Sequence, residues 1–250
     1  MFGLSVSKRA WLGVLTVVLW VPFLSAPQVS SSNAGGQAKA PALDTIVQSL
    51  EAAEQQNPAR TSGYTVTQSY KLFHGDKIEP VSQTVAEVSF VPSGTTTYAI
   101  KESSGSDRGK KMVRDILDLE VAPARKSSEI SRRNYKFVFL QQEMLGGVPT
   151  YLLRMIPKRK EKYLFNGLVW VDAKTFRIER IEGTPVKKPS WLIKDLDITL
   201  QYADMDGLWL PTYIKAAVNV RFAGSYLLTG KNVGLRLSAP VAGKGATGQQ

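Results

Sequence analysis

Residues 134–224 leave few architectures open. Large apolar and aromatic side chains recur there at alternate positions, and turn residues break the pattern at short intervals. Gly146-Gly147 separates apolar stretches at 135–144 and 151–156. Asp172-Ala-Lys174 separates 162–171 from 176–182, and Asp204-Met-Asp206-Gly207 separates 191–202 from 208–220. A period of two between tight reversals is the signature of antiparallel hairpins. Residues 221–230 continue or close the same sheet.

The preceding part adds strands and two helices. Asp44 is placed to cap a helix with Ile46, Val47, Leu50 and Ala53 on one face, ending near Asn57-Pro58. Residues 64–71 alternate, and two further strands at 81–91 and 95–101 flank Pro92-Ser93-Gly94. A polar stretch at 103–108 interrupts the sheet. A helix over 110–121 then places Met112, Val113, Ile116 and Leu117 on one stripe, and Pro123 stops it. Residues 127–133 add a short helical turn.

The first 34 residues read as an export signal. Lys8 and Arg9 precede the uncharged, apolar stretch 10–24, and small residues follow around Ser32-Asn33-Ala34. The apolar stretch is short against the ~20 residues of a spanning helix, so cleavage is favoured over an inner-membrane anchor. Residues 35–43 form a linker, 44–236 one domain, and 237–250 a Gly/Ala/Gln-rich disordered tail. There is no cysteine, hence no disulfide and no lipid-modified N-terminus. The net charge is +11, and losing Lys8 and Arg9 leaves the chain strongly basic. A basic exported chain meets anionic lipid or an acidic protein rather than nucleic acid.

Catalytic chemistry finds little footing. His74 is the single histidine and sits in a His-Gly-Asp turn, so a zinc site and a Cys–His dyad are excluded. No Gly-x-Ser-x-Gly elbow is present. Asp204-x-Asp206-Gly207 begins like a calcium loop but lacks its closing glutamate. Asp195 and Asp197 share a strand face and are the one carboxylate pair that keeps a hydrolase open. The expectation is a non-enzyme without cofactor or metal.

Two hairpins carry a family resemblance. Gly167-Leu-Val-Trp-Val-Asp172 with Arg180-Ile-Glu-Gly183, and later Asp206-Gly-Leu-Trp-Leu-Pro211, resemble the central and late hairpins of the LolA-like outer-membrane lipoprotein-sorting proteins. The resemblance extends more loosely to the envelope stress sensor RseB, and covers about residues 44–232. It implies a mainly β fold: an antiparallel, unclosed half-barrel with helices covering the concave face. It also implies a periplasmic protein that binds lipid or lipoprotein acyl chains for transfer toward the outer membrane. The alternative it leaves is an RseB-like sensor or protein-interaction module without lipid transfer.

On this reading the apolar cup draws on Tyr64, Tyr70, Phe90, Tyr98, Phe137, Phe139, Met155, Leu168, Trp170, Ile178, Trp191 and Trp209. Each buried methylene of an acyl chain gains roughly 0.8 kcal/mol against such a lining. The same residues would serve equally as ordinary core. The helix bearing Met112, Val113, Ile116 and Leu117 is the candidate lid, or else a fixed core helix. Lys158, Arg159, Lys160 and Lys162 crowd one hairpin connection, and Lys187-Lys188 another. They are the candidate contact to an anionic membrane or an acidic receptor, or else a solvated loop.

Overall fold

A computed structural model of the chain describes residues 40–92, 96–122, 129–188 and 190–238. The expected signal, most of the linker, Pro123 and nearly all of the tail lie outside these residues. Helices α1 (Leu43–Gln55) and α2 (Asp107–Val121) accompany ten strands. The strands are β1 (Tyr64–His74), β2 (Ser82–Phe90), β3 (Thr96–Gly105), β4 (Tyr135–Leu145) and β5 (Val148–Pro157). They continue as β6 (Phe165–Asp172), β7 (Ile178–Pro185), β8 (Ile193–Met205), β9 (Leu208–Val220) and β10 (Gly224–Leu237).

All ten strands form one antiparallel sheet in the order β3-β2-β1-β10-β9-β8-β7-β6-β5-β4. Each strand pairs with its sequence neighbour except β3 with β4, and β10 returns to pair with β1. The sheet is therefore a meander wrapped towards closure but left open at one seam. The expected mainly antiparallel, unclosed half-barrel is what the chain forms. No helix among the described residues is long and apolar enough to cross a membrane.

Local chemistry explains the elements. Gly146 and Gly147 both take positive φ at the tip between β4 and β5, as a tight primed turn requires. Asp206 and Gly207 do the same between β8 and β9, where Asp204 Oδ1 accepts from the Gly207 N–H at 3.0 Å. That aspartate thus stabilises a turn. The β6–β7 pair sets Gly167 against Gly183. A Cβ on Gly167 would lie 1.9 Å from the Glu182 carbonyl oxygen, so the close approach needs glycine there.

Some boundaries differ from expectation. Ala42 occupies the N-cap of α1 without a side-chain bond, and Asp44 sits inside the first turn. Its carboxylate still favours the positive end of the helix dipole. The helix also begins at Leu43, within the expected linker. β3 runs on to Gly105 through the Gly/Ser stretch that was expected to interrupt the sheet, because pairing with β2 satisfies its backbone. α2 starts three residues early, where Ser106 Oγ accepts from the Gly109 N–H at 3.2 Å. Residues 131–134 form turns, and their connection delivers the chain to β4. β10 extends to Leu237, one residue into the expected tail.

Both helices cover the same face of the sheet. Cross-strand partners share a face, and one unbroken set of partners runs Leu72–Leu228–Ala216–Ile198. Two positions on from Ile198, Leu200 pairs with Ile181, and the row continues through Val169 and Leu153 to Phe139. α1 packs Ile46, Val47 and Leu50 on the β4–β7 end of this row. α2 packs Val113 and Leu117 on the end containing β1, β2, β9 and β10.

Candidate functional site

The helix-covered face is the candidate site. Its β4–β7 part is filled by side chains. Tyr135, Phe137, Tyr151, Leu153, Met155, Val169, Val171 and Ile178 are buried beneath α1. The ends of α1 are strapped down. The Arg132 guanidinium donates to the Asp44 carbonyl, and the Arg132 N–H donates to Glu51 Oε1 at 2.6 Å. After the helix, Asn57 bonds Trp209 twice: its Nδ2 donates to the carbonyl at 2.7 Å and its Oδ1 accepts from the N–H at 3.2 Å. Burial raises the Tyr135 hydroxyl above its ordinary pKa, against the pull of its bond from the Phe165 N–H.

The α2 part is built differently. Val113 and Leu117 are fully buried, with Met112 and Ile116 partly buried beside them, so the stripe read from the sequence faces the sheet. Around that apolar centre stand polar contacts. The Tyr98 hydroxyl donates to Asp118 Oδ1 at 2.6 Å. The Tyr70 hydroxyl lies 2.7 Å from Gln68 Oε1 and 3.1 Å from Glu120 Oε2, and Gln68 Nε2 lies 3.3 Å from Glu120 Oε1. The bond to Asp118 raises the Tyr98 pKa above the tyrosine range, with smaller contributions from burial and the carboxylate charge. Gly230 makes room for this arrangement, since a Cβ there would come within 2.7 Å of the Tyr70 ring.

The expected cup residues do not come together in one place. Tyr70 and Tyr98 lie under α2, and Phe137, Phe139, Met155 and Ile178 belong to the cluster under α1. Tyr64 stacks on Phe90 with ring centroids 5.2 Å apart, and packs on a third small cluster of Ala59, Val66, Leu208 and Leu210. Trp209 is half-buried, donates from Nε1 to the Ile178 carbonyl at 2.7 Å and lies under the Arg177 guanidinium. Leu168 and Trp170 share a face, as their parity predicts, but it is the face opposite both helices, where Trp170 Nε1 meets Glu143. Trp191 precedes β8 and is 73% exposed.

The basic connection between β5 and β6 is partly engaged. Lys158 Nζ donates to the Arg132 carbonyl at 2.5 Å, Arg159 pairs with Glu161, and Lys162 lies 5.7 Å from the Tyr163 ring. Lys160 is exposed. A cleft of about 380 Å3 is lined by Leu43, Val47, Arg132, Phe137 and Lys158 among others. Another of about 330 Å3 includes Lys188, Asp195 and Asp197. Both aspartates are exposed, and Asp195 Oδ2 lies 3.4 Å from Asn219 Nδ2. His74 is at the end of β1 rather than loose in the turn: it stacks on Tyr226 and its Nε2 lies 3.0 Å from the Ala223 carbonyl. No group of three metal-binding side chains occurs among the described residues.

An open antiparallel half-barrel with two helices on one face is thus the class of protein that the geometry defines. Its solved counterparts include chains of the group that the two hairpins resemble. A LolA superfamily protein from Nitrosomonas europaea is 13% identical, with 79% of this chain and 94% of that one covered, at a TM-score of 0.44. A DUF1329 family protein from Desulfovibrio piger is 13% identical over 80% of this chain and 95% of that one, with a TM-score of 0.48. In the MucA/MucB complex of Pseudomonas aeruginosa the matched chain is 10% identical, covered over 99% against 78% here, with a TM-score of 0.27. No family model and no curated protein matches the chain. Identities this low concern the fold alone, so function has to be argued from the face and its helices.

Proposed function

We propose that this protein is an exported, periplasmic, non-enzymatic binder of a hydrophobic ligand, a lipid or a lipoprotein's acyl chains, for transfer toward the outer membrane. The carrying observation is the construction of the α2 contact. The helix hides an apolar surface formed by Tyr70, Leu72, Ala86, Val88 and Leu228. Polar contacts hold it at Tyr98–Asp118 and where Tyr70 and Gln68 meet Glu120. Such bonds exchange readily for water when a helix lifts, so opening costs mainly the apolar contact. An acyl chain laid on the exposed face restores that contact at roughly 0.8 kcal/mol per methylene. α2 also follows β3, an edge of the open seam, where no strand pairing opposes its movement.

A second reading has its own support. The described interior already holds many buried apolar side chains, which suits an interaction module without lipid transfer. One experiment separates them. The folded protein is extracted with organic solvent for mass spectrometry, and a second sample is titrated with an apolar fluorescent probe. Co-extracted lipid, or micromolar probe binding reversed by a fatty acid, is the expected result. A folded protein with neither is an interaction module.

A further inference from the structure

The connections after β1, β5, β7 and β9 all leave the sheet at one end, because every pairing is antiparallel. On three of these connections stand side chains the fold does not use. Ile78 is 90% exposed, Trp191 73%, Leu192 38% and Phe222 94%. Trp191 and Phe222 are the exposed aromatic residues among those described. Hydrogen bonds join the three tips into one platform. The Arg221 N–H donates to the Leu192 carbonyl at 2.8 Å, and the Gly75 N–H to the Ser225 carbonyl at 2.9 Å.

Phe222 is the most telling of the four. Its φ is 64°, a left-handed conformation that penalises a bulky L-residue and suits glycine or asparagine. Its ring gains nothing from packing at that exposure. Neither backbone nor core accounts for a phenyl group there. Exposed cations surround the tips: Lys77, Lys187, Lys188, Lys194 and Arg221, against Asp76 and Glu79 and, beside Lys188, Asp195 and Asp197. The basic connection 158–164 extends the same rim.

We infer that this rim is a membrane-docking surface for an anionic lipid bilayer. Separate apolar tips can each enter the interfacial layer of a fluid surface, where tryptophan and phenylalanine are favoured. The cations around them meet anionic headgroups, and the two contributions add. The inference does not rest on whether the α2 face takes a ligand.

Co-sedimentation with phosphatidylglycerol/phosphatidylethanolamine vesicles tests it, with phosphatidylcholine vesicles for comparison. The parent should bind the anionic vesicles, release as salt rises, and blue-shift Trp191 emission. A triple variant, Ile78→Ser, Trp191→Ser and Phe222→Gly, should lose at least tenfold in partitioning. Phe222→Gly alone should keep or raise the thermal midpoint, since it relieves the left-handed position, and this separates docking from folding. Apolar-probe binding should match the parent in every rim variant, so either reading can fail without the other. A parent that ignores anionic vesicles, or a folded triple variant that binds as well as the parent, overturns the inference. So does binding that the cations alone sustain, or a rim that retains only a protein partner.

Discussion

The two helices lie on one face of one sheet and are held by different chemistry. Under α1 the centre of the contact is apolar, with the Glu54 carboxyl buried near its C-terminal end, and both helix ends are tied by hydrogen bonds to residues far along the chain. Under α2 an apolar centre is ringed by tyrosine hydroxyls and carboxylates, and the helix borders the open seam. Buried apolar contact is hard to separate piecemeal because every exposed methylene costs free energy. Hydroxyl–carboxylate contacts near solvent are replaced by water at little net cost. On the proposed function the first helix is a plug, and the second is the element that moves.

The largest expected effect tests this division directly. Leu50 of α1 and Leu117 of α2 are both 0% exposed. Leu50→Ala should cost about 2–5 kcal/mol of global stability, the usual range for a buried leucine. Leu117→Ala should instead act first on local opening: amide exchange in α2 should speed up while the rest of the sheet keeps its protection. Equal global losses, with α2 protected as well as the sheet, would break the comparison.

A smaller effect concerns the Tyr98–Asp118 bond. The folded pKa of Tyr98 is raised above 10.0, so its contribution is fully present below the tyrosine range and is lost as pH rises through the folded value. α2 amides should lose protection above about pH 10 before α1 amides do. Tyr98→Phe should abolish that difference at a cost of no more than about 1 kcal/mol at neutral pH. The measurement is hydrogen exchange across the alkaline range, and a Tyr98→Phe profile identical to the parent's would count against a polar hinge.

The smallest effect sits at the fixed helix. Burial raises the Glu54 pKa above 4.5, opposed by Arg60 and Arg177 and assisted by Glu129. Its contribution is present below the ordinary glutamate pKa and is lost as pH rises through the folded one. Glu54→Gln has no proton to lose, so its stability relative to the parent should improve between pH 4 and pH 7. Denaturant midpoints at the two pH values check the sign.

Much of the sheet was legible because hairpins are local. The turns at Gly146-Gly147 and Asp206-Gly207 and the alternation beside them need only a few residues to be read. The α2 stripe was legible for the same reason: Met112, Val113, Ile116 and Leu117 share a face whatever they pack against. The site was less so. Parity places Leu168 with Trp170 and against Val169 with Val171, yet it cannot say which pair meets a helix. α1 covers Val169 and Val171, which leaves Trp170 on the other face with Glu143 and Arg180. Trp191 read as lining and stands at the rim, because apolar character does not report exposure.

The sequence by itself determined the strands, the tight turns, the amphipathic helix and the scarcity of catalytic groups, all fixed by backbone preference and side-chain period over short spans. Only the tertiary structure decided that β10 would pair with β1, that β3 and β4 would stay apart, and that both helices would share one face. Those outcomes join residues more than a hundred positions apart. They depend on total burial and register across the whole sheet, which no local pattern encodes. The rim is the same kind of outcome: Ile78, Trp191 and Phe222 come together only because antiparallel pairing sends alternate connections to the same end.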